Sequence, residues 1–120
     1  MSQTDDVEVT SGGVRHLQWS AFRSTREVVV ALRGELDLSS SEALSLLIAD
    51  VIGAQPVKVT IDLEKLSFLD STGVRCLMDA ARAASGAGSR FVVRQPRGMV
   101  LQVLEICGVD RLLLDHSDGR

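Results

Sequence analysis

The feature that most constrains this fold is a change of hydrophobic period near the middle of the chain. Residues 57–63 form an apolar, β-branched run that is typical of a buried strand, whereas the apolar residues of 74–81 repeat at helical spacing. Asp70, Ser71 and Thr72 lie between them, and such side chains accept hydrogen bonds from the unpaired N–H groups of a helix start. A helix start also favours negative charge. The stretch therefore predicts a strand that leads into a helix, with hydroxyl groups that are either caps or a modification site.

Similar patterns along the chain predict the order β-β-α-β-α-β-α, followed by a short last strand. Ser39 and Glu42 have the spacing of a capping box at the start of the first helix. Two strands followed by alternating helices and strands indicate an α/β fold, in which about three main helices pack on a mixed sheet of four to five strands. The predicted strands are 14–22, 27–32, 57–63, 90–94 and 112–114, and the predicted helices begin near 39, 71 and 99.

Length and composition predict one domain. The chain has 120 residues, of which 45% are apolar and 24% are charged, as in an ordinary globular protein. We predict a disordered tail at 1–13, a domain at 14–114 and a polar tail at 115–120, because both ends are polar.

The charge pattern excludes several classes of partner. The net charge is −3 and the basic residues are scattered, so we expect no direct contact with nucleic acid. No apolar run approaches the roughly 18 residues of a membrane span. The chain starts with acidic and polar residues, unlike a secretory signal, and this predicts a cytoplasmic protein.

The residues that commonly carry catalysis or bind metals are sparse. Cys76 and Cys107 lie 31 positions apart in apolar helical patterns, so we predict buried thiols and no metal site. His16 and His116 lie in no sequence signature of a nucleophile and its base, and the sequence contains no glycine-rich phosphate loop of the Walker type. We therefore expect neither catalysis nor a cofactor.

Three short motifs occur together in this chain: Gly34-Glu35-Leu36-Asp37, Ile61-Asp62-Leu63 and Phe68-Leu69-Asp70-Ser71-Thr72-Gly73. Their combination and spacing resemble the anti-sigma factor antagonists of the STAS domain family. The resemblance extends over nearly the whole chain, from about Val14 to Leu114.

The resemblance implies a small bacterial signalling protein without catalysis of its own. In that family the unphosphorylated antagonist binds an anti-sigma factor and so frees a sigma factor. The anti-sigma factor is a serine kinase with a GHKL-type ATP-binding fold, and a PP2C-type phosphatase reverses the phosphorylation.

The family pattern also assigns site residues. Its phosphorylated serine follows the aspartate of the third motif, which is Ser71 here, with Thr72 as the second choice. Asp37, Asp70, Ser71, Thr72 and Gly73 are expected to contact the partner. A further expected contact is Arg75, which is spaced to lie on the helix face of Ser71 and to pair with a phosphate there.

The expected switch is an electrostatic and steric block. A phosphate adds about −1.5 to −2 charges, here on a surface predicted to be lined by Asp37, Asp62 and Asp70.

Two other functions fit the same residues. STAS domains also serve as constitutive scaffolds or as complex subunits that are not phosphorylated. A module that binds a small ligand or a nucleotide is the third reading.

Overall fold

A computed structural model of the chain describes residues 7–114, which form a five-stranded mixed sheet and four helices. This confirms the predicted α/β class. The elements, in chain order, are β1 (Glu8–Val14), β2 (Leu17–Arg23), β3 (Glu27–Leu36), α1 (Leu38–Gly53), β4 (Lys58–Leu69), α2 (Ser71–Gly86), β5 (Arg90–Arg94), α3 (Gly98–Ile106) and α4 (Asp110–Leu113).

The strands lie in the sheet in the same order as in the chain. β1, β2 and β3 pair antiparallel, whereas β3, β4 and β5 pair parallel. Parallel neighbours need a crossover connection, and α1 and α2 supply the two crossovers. The parallel half of the sheet therefore carries the ends of β3 and β4 next to the starts of α1 and α2.

The core lies between the sheet and the pair formed by α1 and α2. Val30, Ile61 and Leu63 are fully buried on their strands, and Leu44 and Leu77 are fully buried on the two helices. The helices contact each other as well as the sheet. Burial of these aliphatic side chains fixes the position of both helix starts.

The N-terminal part of the chain corrects the predicted tail. Glu8–Val14 forms β1 and pairs with β2 along its whole length, so the prediction of disorder is wrong for residues 8–13. Residues 1–6 and the polar tail predicted at 115–120 lie outside the described residues. The predicted strand at 14–22 is β2 together with the end of β1, because Arg15 turns the chain with a φ of +54°.

The C-terminal prediction is also corrected. Residues 112–114 do not form a strand, because Asp110–Leu113 is the short helix α4. Only Leu114 makes a single parallel bridge, to Val93 of β5.

The two cysteines differ in environment. Cys76 is buried between α1 and α2, as predicted, and burial raises the pKa of its thiol above the ordinary value of 9.0. Cys107 is exposed, and the prediction of a buried thiol is wrong there because the residue lies just past the end of α3.

Candidate partner-binding site

The starts of α1 and α2 lie side by side at the carboxyl ends of β3 and β4. Leu36 and Leu69 are paired residues at the ends of β3 and β4, and each strand is followed after one residue by a helix. The backbone N–H of Asp70 donates to the carbonyl of Leu36 at 3.4 Å. Asp37 and Asp70, which follow these two leucines, are thereby neighbours at the same edge.

Asp37 is the N-cap of α1. Its Oδ1 accepts the backbone N–H of Ser39 at 2.9 Å and the hydroxyl of Ser39 at 2.7 Å. Ser40 Oγ accepts the N–H of Asp37 at 3.1 Å, which completes a capping box. The predicted box of Ser39 and Glu42 is therefore wrong, because the helix begins directly after β3 ends.

These contacts hold Asp37 in its charged form. The hydrogen bond from the Ser39 side chain lowers the pKa of Asp37 below its ordinary value of 3.8. Next to this charge, the side chain of Leu38 is 76% exposed in the first turn of α1. The start of α1 therefore presents an exposed apolar side chain beside a carboxylate.

Asp70 is the N-cap of α2, and this settles which residue caps the helix. Its Oδ1 accepts the backbone N–H of Gly73 at 2.9 Å. Ser71 is then the first helical residue, and its side chain is exposed. Within residues 7–114 the Ser71 hydroxyl has no hydrogen-bond partner, so it is accessible to a reagent or enzyme in solution.

Gly73 is required by the packing of α2 on the sheet. A Cβ atom at this position would lie 2.5 Å from Leu69 Cδ1 and 2.7 Å from the carbonyl oxygen of Leu36. Real Cβ atoms do not approach other heavy atoms this closely. The glycine of the Asp-Ser-Thr-Gly sequence therefore allows the helix start to pack on the ends of β3 and β4.

The structure brings most of the predicted site residues together. Asp37 and Asp70 are adjacent caps, and Ser71, Thr72 and Gly73 form the first turn of α2, where Thr72 is half-buried. Arg75 is exposed one turn further along α2, four residues after Ser71. This spacing places Arg75 and Ser71 on one face of the helix.

Asp62 does not belong to this cluster, and its predicted place beside Ser71 is wrong. Asp62 pairs with Ala31 on β3, whereas Leu69, next to the site, pairs with Leu36. Ala31 and Leu36 are five residues apart along β3, so Asp62 lies on the order of 16 Å from the strand ends that carry the site. Its side chain lies beside β5, where its Oδ2 is 3.5 Å from Arg94 Nη2.

The turn between β1 and β2 supports the site, which the sequence did not indicate. The carbonyl of His16 accepts the N–H of Glu35 at 2.9 Å, which ties this turn to the end of β3. Gly34 has a φ of +102°, and a Cβ there would collide with the His16 carbonyl. The only sequence signal for this contact is the glycine before Glu35.

Two further observations apply to the described residues as a whole. Within 7–114 no group of three or more His, Cys, Asp or Glu side chains is arranged to hold a metal ion. None of the helices in that range has the length and apolar character of a membrane span.

Comparison with known proteins agrees with this architecture. A family model described as "Mlab, STAS domain" matches residues 19–115. The anti-sigma F factor antagonist of Lysinibacillus sphaericus is 31% identical over 96 residues, covering 78% of this chain and 82% of that protein. The anti-sigma-F factor antagonist RsfB of Mycobacterium tuberculosis is 29% identical over 83 residues, which are 69% of this chain and 67% of that protein.

Solved structures show the same fold. The anti-sigma factor antagonist SpoIIAA in its unphosphorylated form superposes with a TM-score of 0.67 at 22% identity, covering 92% of this chain and 91% of that one. The phosphorylated form of SpoIIAA, a Bacillus cell fate determinant, gives a TM-score of 0.60 at 21% identity, covering 92% and 95%.

The chain therefore belongs to the STAS domain family. Its curated relatives within that family are anti-sigma factor antagonists, which confirms the resemblance carried by the three motifs.

Proposed function

We propose that this protein is a cytoplasmic anti-sigma factor antagonist switched by phosphorylation at Ser71. In the unphosphorylated form it binds an anti-sigma factor and so releases a sigma factor. The anti-sigma factor, a serine kinase with a GHKL-type fold, phosphorylates Ser71, and a PP2C-type phosphatase reverses the reaction. The observation that carries the proposal is the exposed Ser71 hydroxyl, which is not used for capping because Asp70 caps α2.

The docking surface is formed by the starts of α1 and α2. Leu38 offers an exposed apolar side chain, and Asp37 and Asp70 offer fixed negative charge on either helix. A partner with an apolar pocket and basic side chains fits this surface by complementarity. The protein acts by binding, and no step of the switch needs a catalytic group of its own.

The phosphate disrupts binding without unfolding the domain. The N-terminus of α2 favours a negative charge, and neither the Asp70 cap nor the Gly73 packing uses the Ser71 side chain. A bound partner, however, would have to bury the new charge next to two carboxylates, and burying an unpaired charge costs several kcal/mol. We therefore expect lost affinity with an unchanged backbone.

The test combines phosphopeptide mass spectrometry with binding measurements. The full chain is incubated with ATP and extract of its own host, alongside Ser71→Ala, Thr72→Ala and the control Ser85→Ala at the exposed far end of α2. We expect phosphate uptake in the parent, Thr72→Ala and Ser85→Ala, and none in Ser71→Ala. Ser71→Glu should weaken binding to the anti-sigma factor while its backbone NMR spectrum stays close to that of the parent.

Other outcomes would change the proposal in defined ways. Phosphate on Thr72 would move the switch by one residue. No phosphate with extract of either stressed or unstressed cells would refute the switch and favour a constitutive scaffold that uses the same surface. A large spectral change in Ser71→Glu would refute the electrostatic and steric block.

A further inference from the structure

The two edges of the sheet differ in how well they are protected. β5, at one edge, has five residues, begins and ends with arginine, and is bridged at Val93 by Leu114. β1, at the other edge, has seven residues, of which only Glu8 is charged, and it contains neither proline nor lysine. It also pairs with β2 without a bulge. Short length, bulges, lysine and proline are the features by which proteins block an edge strand, and β1 has none of them.

The backbone of β1 offers hydrogen-bonding groups on its outer side. Val14 and Leu17 flank a two-residue turn, and such a flanking pair exchanges backbone hydrogen bonds. Bonded and unbonded pairs alternate along antiparallel strands, so every second residue counted back from Val14 bonds to β2. The residues between them, Val9, Ser11 and Gly13, therefore turn their N–H and C=O groups outward. Within residues 7–114 no group outside the β1–β2 pairing bonds to these backbone atoms.

The outward-facing residues of β1 are complementary to a second copy of themselves. When two β1 strands pair antiparallel about a two-fold axis at Ser11, each Ser11 faces its symmetry mate and Val9 faces Gly13 of the other copy. All of these residues have outward backbone groups, so each pair exchanges hydrogen bonds. Val9, which is 55% exposed in the single chain, gains the space that the missing side chain of Gly13 leaves.

Two unpaired charges favour the same arrangement. Glu8 and Arg15 lie at opposite ends of β1, about 24 Å apart along the strand, and neither forms an ion pair within residues 7–114. Arg23, which faces Glu8 on β2, pairs with Asp50 instead. Antiparallel pairing brings Glu8 of each copy to the end where Arg15 of the other copy lies, whereas parallel pairing would place like charges together. Opposite charges on neighbouring strands stabilise a sheet, and like charges destabilise it.

We propose that this protein forms a two-fold symmetric dimer through β1, which joins the two five-stranded sheets into one. The Ser71 surface, formed by the starts of α1 and α2, stays accessible because β2 and β3 separate β1 from β4. Pairing along one strand buries little area, so the dimer dissociates on dilution. The proposal depends neither on phosphorylation of Ser71 nor on an anti-sigma factor.

Sedimentation equilibrium of the full chain, over a series from micromolar to millimolar concentration, measures the dimer. Ser11→Pro removes an outward N–H without removing a bond to β2. Ser11→Lys places two ammonium groups opposite each other at the two-fold axis. Ser11→Ala is the matched control, because it changes the same side chain and leaves the backbone groups in place. Urea denaturation followed by circular dichroism checks that each variant keeps the fold of the parent.

We expect a monomer–dimer equilibrium in the parent and in Ser11→Ala, and a dissociation constant weakened roughly tenfold or more in Ser11→Pro and Ser11→Lys. A parent that stays monomeric over the whole series overturns the proposal. Equal dimerisation of all the variants also overturns it, because association would then use another surface. Loss of the dimer in Ser11→Ala contradicts pairing through the backbone.

The charges give an independent test of the antiparallel arrangement. Arg15→Glu should weaken the dimer, because it places two carboxylates at each end of the paired strands, and Arg15→Lys should keep it. Arg15 lies in an exposed turn, so neither substitution disturbs the core. A dimer of Arg15→Glu as tight as that of the parent contradicts the proposed arrangement.

Discussion

Substitution of Gly73 by alanine tests whether the glycine of the Asp-Ser-Thr-Gly sequence is structural. The new methyl group would lie 2.5 Å from Leu69 Cδ1 and 2.7 Å from the Leu36 carbonyl oxygen. Leu69 is only 1% exposed, so its side chain cannot move out into solvent without disturbing the core around it. The carbonyl belongs to the backbone and also accepts the N–H of Asp70. The start of α2 must therefore shift away from β3.

The magnitude follows from two opposing effects. Overpacking of this kind costs typically 1–3 kcal/mol, whereas alanine gains up to about 1 kcal/mol over glycine within a helix. We expect a net loss of about 1–2 kcal/mol, which lowers the melting temperature by about 4–8 °C in a domain of this size.

Gly86→Ala is the matched control in the last turn of the same helix. A Cβ at Gly86 would meet no atom within 4 Å, so this substitution should be neutral or stabilising by up to about 1 kcal/mol. Urea denaturation followed by circular dichroism at 222 nm measures both variants. A Gly73→Ala protein as stable as the parent, or a similar loss in both variants, would refute the packing argument.

Four further predictions concern the same region. Gly34→Ala should destabilise the fold at least as much as Gly73→Ala, because of its φ of +102°, and urea denaturation would show this. Asp70→Ala should cost about 1 kcal/mol through the lost cap of α2, again by urea denaturation, and no loss would contradict the cap. Because the pKa of Asp37 is lowered in the folded protein, its carboxylate contributes its full stabilisation above the ordinary pKa of 3.8, and this contribution is lost as the pH falls through the lower pKa of the folded state. The free energy of unfolding measured against pH should show this loss in the parent, and Asp37→Asn should not show it. Arg75→Ala should speed removal of phosphate from Ser71 by the phosphatase, and an unchanged rate would exclude this role of Arg75.

The sequence predicted the parallel strands β3, β4 and β5 better than the N-terminal edge strand β1. The apolar, β-branched residues of β3 and β4 show strand patterns directly, and every second residue from Val28 to Leu32 is buried, as strand geometry requires. β1 was missed because six of its seven residues are exposed, so no alternation of apolar and polar residues marks it. Leu112–Leu114 is too short for its period to distinguish a strand from a helical turn.

The candidate site shows the same division. The local pattern predicted that Asp70, Ser71 and Thr72 begin a helix, since capping chemistry depends on residues close in sequence. The roles of Ser71 and Asp37 come from the family resemblance and stay predictions. The error at Asp62 arose from the length of β4, which continues to Leu69 through exposed polar residues such as Glu64 and Ser67. Register and irregular pairing between strands decide such distances, and a single sequence does not show them.

The sheet order β1-β2-β3-β4-β5 has a consequence for how the protein is made. Each new strand emerging during synthesis adds to the edge of the strand before it, and none has to insert between two strands already paired. The sheet therefore grows in the direction of translation, and β3, which precedes the first crossover, already has an antiparallel neighbour to hold it when β4 arrives. The Ser71 surface is therefore built entirely from strands and helices that precede α3 in the chain.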